Sequence, residues 1–515
     1  MRLSLSQLVR CDHATFLFSS GEFDYYSISI MYLITPSNLK YIISLSILSR
    51  VIVFVIQIIS SLIISEHNAD AYRNRYHLAL AQGVSEASSI PLPVKLIYRL
   101  IQGYTKWDSQ YFLEIANDGY VSEKHLAFLP LYPLTVSFVR QMLFGQNRID
   151  IDKLLPSYRM KEQELDMESI QAYICSAFVG VALNNFIFFP LACISLFALT
   201  KLVRGDNEKF AKHVVWLFCI NPASVFFSAC YTESLYAALT FTALFMIEYK
   251  SSVYHTTGKE EISSPKVGPL NQLNRLLYIC APCLAFMAFS TATRSNGLVN
   301  IGFILYQLLL KYAPIWRMQL SFFPRLIYLL EFVQDLLVLF MASVVAASGY
   351  ISFQIYSYVK FCQQTNRKSG QLHIKPSWCY NLIPHPYGQI QAKYWDVGLF
   401  RYYQLKQLPN FLLATPISIM ALLGSSRRAR NVMNLRSGLK QLPYYIQIVV
   451  MVLLCSITIN IQVLTRLLAS SCPALYWIAA DISQESRSKK RMISTYFMTY
   501  LLVGTILHTT YYPWT

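Results

Sequence analysis

Charge is what this sequence has least of. Only 14% of its 515 residues are Asp, Glu, Lys or Arg, against 54% that are hydrophobic, and the mean hydropathy is +0.37. A soluble globule of this length needs more polar surface, so a polytopic membrane protein is expected instead. Acidic residues are the scarcer sign, 27 against 44 basic, which leaves a formal charge of +17. An excess of that size suits a nucleic acid when it forms one patch. Here it falls in short clusters between apolar runs, at Lys201/Arg204/Lys209/Lys212, Arg427/Arg428/Arg430/Arg436/Lys440 and Arg487/Lys489/Lys490/Arg491. Clusters so placed follow the positive-inside rule, and no nucleic-acid partner is expected.

Other absences narrow the reading further. No Asn-x-Ser/Thr sequon occurs, so glycosylation says nothing about orientation. No clear internal repeat is present, which weighs against a transporter. Residues 1–39 lack a signal-peptide pattern and read as a cytosolic extension. The eleven cysteines are scattered, most of them inside apolar runs as small core residues. Cys362 and Cys379 share a loop, and would pair if that side of the membrane is oxidising.

What is present is a series of apolar runs at 41–65, 170–200, 213–229, 231–248, 276–293, 297–310, 326–358, 408–424, 443–465, 467–482 and 492–510. Some are shorter than the roughly 20 residues a straight span needs, so a pair such as 276–310 also reads as one broken element. About 11 transmembrane helices are expected. With a cytosolic N-terminus, the loops at 201–212, 249–275, 311–325, 425–440 and 483–491 fall on the cytosolic side, where the basic clusters are. The opposite side receives 66–168, the turns at 231–233 and 294–296, and 359–407. Every unusual polar constellation then lies on one face. The stretch 66–168 has no spanning run but carries amphipathic ones at 92–104, 107–119 and 126–143, which marks a functional loop folded against the membrane.

On that face Asp108 follows Trp107 and begins an amphipathic helix, where an N-cap is the plain alternative to catalysis. Asp70 lies just past the first span, as a solvated helix end or a functional acid. Glu114 and Asp118 share a helical face, and Glu123 and His125 precede the Ala127–Pro133 run. Glu233 and Arg294 stand in turns between apolar helices, where an unpaired charge is costly; they form an ion pair, or Arg294 faces an anionic group. Residues 384–403 interleave aromatics with Lys393 and Arg401. Glu331 and Asp335 are the acids a transporter would use for coupling.

Trp107-Asp108, Phe112-Leu113-x-Ile115-Ala116-x-x-Gly119-Tyr120 and Ala127-Phe128-x-Pro130-x-x-Pro133 resemble the first luminal loop of the GPI mannosyltransferase II family, the PIG-V type. Further matches run in order: Ser49-Arg50, His67-Asn68-Ala69-Asp70-Ala71, Tyr231-Thr232-Glu233-Ser234-Leu235, Ala292–Gly297, Tyr394–Gly398, Gln407–Ala414, Gln462–Arg466 and Pro473–Trp477. Asp396 stands where Asn is expected, and Leu131-Tyr132 replaces a small residue. The resemblance implies a glycosyltransferase of the GT-C architecture in the endoplasmic reticulum membrane, with a transmembrane domain over 40–515 and a luminal active site. Its donor would be dolichol-phosphate-mannose and its acceptor the mannosyl-glucosaminyl-acylphosphatidylinositol GPI precursor lipid, extended in α-1,6 linkage.

Displacing dolichyl phosphate from a β-linked donor to give an α product is an inversion, and it needs a carboxylate base. Asp108 is the first candidate and Asp70 the second. Arg294, Lys393 and Arg401 are candidates to stabilise the leaving phosphate, and Trp107, Tyr111, Trp395 and Tyr402 to line the sugar site. Glu123, His125, Glu233 and Gln391 complete the expected binding residues. No cofactor is expected and no obligatory metal is indicated, a site made of Asp70 and Asp108 being the alternative. Membrane lipids are expected partners, and an accessory membrane subunit is left open. The rival readings are another dolichol-phosphate-sugar transferase and a lipid or ion transporter.

Overall fold

A computed structural model describes residues 34–82, 91–145, 166–205, 207–261, 282–316, 322–363, 375–382, 384–433 and 436–514. Residues 1–33 of the expected extension lie outside the described residues, as do parts of the loops expected at 66–168, 249–275, 311–325 and 359–407. The chain divides into two compact units, 1–41 and 42–515. Of the first, only residues 34–41 are described; the second holds everything that follows.

All regular structure among the described residues is helical. Five helical segments are long and apolar enough to cross a membrane: Pro36–Ile63, Met167–Arg204, Tyr328–Gln363, Leu405–Met433 and Gly438–Ile457. A sixth is added if Ile461–Ser471 and Pro473–Glu485, bent by 86°, count together. The other apolar runs hold helix over much of their described length, but those helices are short or carry charge at an end, so the eleven expected spans are not established. The pair at 276–310, for instance, is two helices, Pro282–Thr293 and Ile301–Trp316, joined by a 3-10 turn over Ser295–Asn300.

Local chemistry explains how the central helices aim their ends. We label Pro36–Ile63 α1 and the loop helix Ser109–Asp118 α2. Helix α3, Met167–Ala182, passes through a π-helical turn, Leu183–Phe188, into α4, Phe189–Arg204. Pro190, which lacks an N–H, lies just beyond that turn. The turn brings two buried amides inward. Asn184 donates to the carbonyls of Ala229 (2.5 Å) and Tyr231 (3.0 Å), and Asn185 to that of Ser228 (2.9 Å). These bonds satisfy a non-helical segment that has no water to turn to, and they fix the start of α5, Glu233–Glu261.

Arg50, the one charge in the first run, is held by neutral oxygens. It is 1% exposed, donates to Ser224 O (2.9 Å), Ser224 Oγ (2.6 Å) and Ser228 Oγ (3.0 Å), and lies over the Phe189 ring. The same 224–231 segment is thus held from both sides.

The long loop folds into the protein. Tyr72, Tyr111 and Phe128 stack at 4.1 and 4.5 Å, and their cluster takes in Trp378 and Ile390 from the second large loop. A Cys362–Cys379 disulfide ties that second loop to the end of the helix Phe322–Tyr358 and its π-helical extension. At the far end of α4, Arg204 and Arg428 pair with Asp481 (2.9 and 3.3 Å), joining the ends of three helices.

Candidate active site

A cavity of about 380 Å³ lies where the long loop meets the start of α5. Its geometry begins at Trp107, whose φ of 57° is left-handed and uncommon for a side chain of that size. The turn is pinned on both sides. Lys106, 1% exposed, pairs with Glu66 and faces the Tyr511 ring, while Trp107 Nε1 donates to His508 O at 3.3 Å. The Asp108 amide then donates to the Tyr231 hydroxyl at 3.1 Å.

Asp108 occupies the cap position of α2, yet its carboxylate makes no cap bond. Instead Oδ2 accepts from both terminal nitrogens of Arg466, each at 3.0 Å. Arg466 belongs to α6, Leu464–Ser471, and its Nε lies 3.6 Å from Glu233 Oε1. Glu233 is fully buried at the first residue of α5, where the helix N-terminus favours a negative charge. Its Oε1 also accepts from Arg294 at 2.5 Å, and Arg294 donates to Thr232 Oγ1 at 3.0 Å. Four distant stretches therefore bring together two carboxylates and two guanidiniums, alternating Asp108, Arg466, Glu233, Arg294. In an apolar surrounding such alternation makes buried charge tolerable. Asp108 Oδ1 has no hydrogen-bond partner among the described residues, and the Asp108 side chain is 29% exposed.

Of the residues expected at the site, Trp107, Asp108, Arg294, Gln391 and Trp395 line this cavity, and Glu233 supports it from beneath. The expected ion pair Glu233–Arg294 is present, and it leaves Arg294 on the cavity wall as well. The remaining expected residues lie outside the lining. Asp70 is exposed. Tyr111 is buried in the aromatic stack and meets Trp395 edge-on at 6.0 Å. His125 is buried against Glu114 at 3.4 Å; burial pushes the Glu114 carboxyl up, but His125, Tyr72 and Arg75 outweigh it and hold it below the ordinary 4.5. Glu123 pairs with Lys393 at 3.0 Å, where Lys393 is half exposed. Arg401 is half exposed beside Asp396 at 3.7 Å, and the Tyr402 hydroxyl bonds Asn410 and Gln462. The phosphate-stabilising role drawn for Lys393 and Arg401 finds them away from the cavity, Lys393 paired with the part-buried Glu123 and Arg401 beside the exposed Asp396.

Both departures from the family pattern have a local account. Asp396 has φ 52°, a left-handed position that Asp and Asn both tolerate. Tyr132 is fully buried, and its hydroxyl occupies space that a Cβ on Gly180 would reach at 2.9 Å. The transporter reading has less to stand on, since Asp335 is held by Tyr312 (2.7 Å) and Lys311 (2.6 Å).

Sequence reasoning passed over Arg466, Tyr231 and His508 as site residues. Arg466 had a signal: it is the only charge between Lys440 and Asp481, and a lone cation in so apolar a stretch implies a buried anion. Two spacings were passed over as well, Cys280-Ala-Pro-Cys283 and Asp150-Ile-Asp152; Cys280 and the aspartates lie outside the described residues. Among the described residues no group of three or more His, Cys, Asp or Glu is placed to hold a metal.

An all-helical membrane protein with a charged cavity roofed by a folded loop is the class that fold and site define. The family described as Mannosyltransferase (PIG-V) matches residues 39–515, and the chain belongs to it. It is 31% identical to the GPI mannosyltransferase 2 of Drosophila pseudoobscura pseudoobscura, over 92% of this chain and 98% of that one. It is 27% identical to the GPI alpha-1,6-mannosyltransferase 2 of Homo sapiens, over 93% and 99% respectively.

Proposed function

We propose that this protein transfers the second mannose of the GPI anchor, in α-1,6 linkage, from dolichol-phosphate-mannose to the mannosyl-glucosaminyl-acylphosphatidylinositol intermediate. The observation that carries the reading is Asp108: a carboxylate at a cap position that forgoes the cap and opens one oxygen to a cavity. With Oδ2 fixed by the Arg466 fork, Oδ1 takes the proton from the acceptor's primary hydroxyl. The acceptor's hydroxyl oxygen attacks the anomeric carbon from the face opposite the phosphate, the new C–O bond forms, and the old one breaks. Its electron pair leaves with dolichyl phosphate, and the configuration inverts. Arg294 and Arg466, both at the cavity, are the cations for the developing phosphate charge. Asp70 drops to a residue outside the reaction.

The cavity end of the bundle is read as luminal and the Arg204/Arg428/Asp481 end as cytosolic, in the endoplasmic reticulum membrane, with eleven crossings. The basic clusters at one end and the Cys362–Cys379 disulfide at the other support this orientation. The transfer is tested with the purified chain, dolichol-phosphate-mannose and the one-mannose lipid, reading the product's new linkage by NMR. An α-1,6 mannose is expected. Transfer from a nucleotide sugar without the dolichol lipid, or a β linkage, overturns the proposal.

A further inference from the structure

Three consecutive residues at the start of α5 each hold part of the charge chain. Glu233 Oε1 lies 2.5 Å from Arg294 and 3.6 Å from Arg466. Thr232 Oγ1 accepts from Arg294 at 3.0 Å. Tyr231 is the third, and it acts on Asp108 by two routes. Its hydroxyl accepts from the Asp108 amide at 3.1 Å, and the Arg466 guanidinium that grips Asp108 Oδ2 lies over its ring, 5.5 Å from the centroid. One side chain thus meets both the backbone that carries the carboxylate and the cation that holds it.

Asp108 needs such support from outside its own helix. Its carboxylate makes no cap bond, so α2 does not fix the side chain. The residue before it, Trp107, has φ 57°, a conformation that persists only where the surroundings impose it. Tyr231 is itself well anchored. It is 2% exposed, its carbonyl accepts from Asn184 Nδ2 at 3.0 Å, and Phe226 and His508 pack edge-on against its ring at 5.2 and 5.6 Å. Its hydroxyl oxygen stands at the far end of that clamped ring, so the Asp108 amide is bonded to a fixed point.

We infer that Tyr231 is a positioning residue for Asp108: its hydroxyl oxygen sets the Asp108 backbone and its ring seats the Arg466 fork. The role rests on the reading of Asp108 as the base. It gives the turn before α5 a part in the reaction beyond its place in the ion-pair chain.

The test measures steady-state turnover of dolichol-phosphate-mannose and a synthetic mannosyl-glucosaminyl-phosphatidylinositol by the purified full-length chain in lipid nanodiscs. Wild type, Tyr231→Phe, Asp108→Asn and the double variant are compared, with ligand-free melting as the check on folding. Tyr231→Phe keeps the ring over Arg466 and removes the acceptor for the Asp108 amide. Its kcat should fall about tenfold to a hundredfold, as a misplaced base implies, with KM within about twofold of wild type. In the Asp108→Asn background the same change should alter residual turnover by less than about twofold, because a residue that acts through Asp108 is not additive with its loss. A purely structural contribution would instead lower both backgrounds alike, and that result overturns the proposal. Replacement of Tyr231 by O-methyltyrosine keeps the accepting oxygen and should retain most of the turnover. A folded O-methyltyrosine protein as slow as Tyr231→Phe overturns the role, as does a Tyr231→Phe protein that fails to fold. The two readings fail differently. Wild-type turnover by Asp108→Asn removes the base itself, whereas wild-type turnover by Tyr231→Phe beside an inactive Asp108→Asn overturns only the positioning role.

Discussion

At Asp108 two demands compete, since a helix start wants a cap and a reaction wants a base. In the structure the α2 amides are left uncapped by that side chain and Arg466 takes Oδ2; the role of base is our proposal for the oxygen that remains. Asp108→Asn should therefore keep the fork's acceptor and the fold but lose the base. Turnover is expected to fall by about 10²–10⁴-fold, with a smaller loss of melting temperature than Arg466→Gln gives, since Arg466 keeps Glu233 beside it; retained turnover in single-turnover assays would remove Asp108 from the mechanism. Arg466 is the opposite case. Arg466→Gln leaves Glu233 buried with a single cation, and breaking a buried pair costs about 3–5 kcal/mol. Melting of the purified variant should drop markedly, and Arg466→Lys should recover part of the stability but less of the activity, because an ammonium cannot fork. An Arg466→Gln protein as stable as wild type would mean that the four-charge chain contributes no support.

The elements around the site work by holding one another. Helix Arg75–Gln82 buries His77 among Tyr98, Tyr511 and Lys106, with Glu66 and Arg73 nearby. Burial first and Lys106 next push the imidazole down from 6.5 to about 4, against the opposing pull of Glu66. A lowered histidine contributes stability that is full above pH 6.5 and is lost as the pH falls toward 4. Glu114, held below 4.5, adds a loss of the same sign at lower pH. Thermal melting should thus weaken between pH 7 and 5, and His77→Gln should flatten that part of the profile; an unchanged slope would mean that His77 is not the group responsible. The loop helices themselves were legible in the sequence. The amphipathic stretches at 92–104, 107–119 and 126–143 fall on helices Leu92–Ile101, Ser109–Asp118 and Leu131–Phe144, the last running one residue further, because apolar spacing marks them. The Asp108–Arg466 contact was not legible, since it joins residues 358 apart and no periodicity records such a pairing.

Over the whole molecule, composition revealed the membrane class and the order of motifs revealed the family, while the cavity needed coordinates. Lys393 and Arg401 read as phosphate ligands in the chain, yet each has a carboxylate as its neighbour in space, Glu123 and Asp396. The proposed orientation makes its own prediction. In sealed microsomes Cys362 and Cys379 should resist alkylation by a membrane-permeant maleimide until a reductant is added, and alkylation without reductant would put that loop on the wrong side. The most direct measurement of the central claim is the GPI-precursor lipid profile of cells lacking the endogenous second mannosyltransferase, complemented with this chain or with Asp108→Asn at equal expression. The account predicts that the intact chain clears a one-mannose intermediate and that the variant leaves it in place. A one-mannose lipid that persists with the intact chain, or disappears with both, would contradict it.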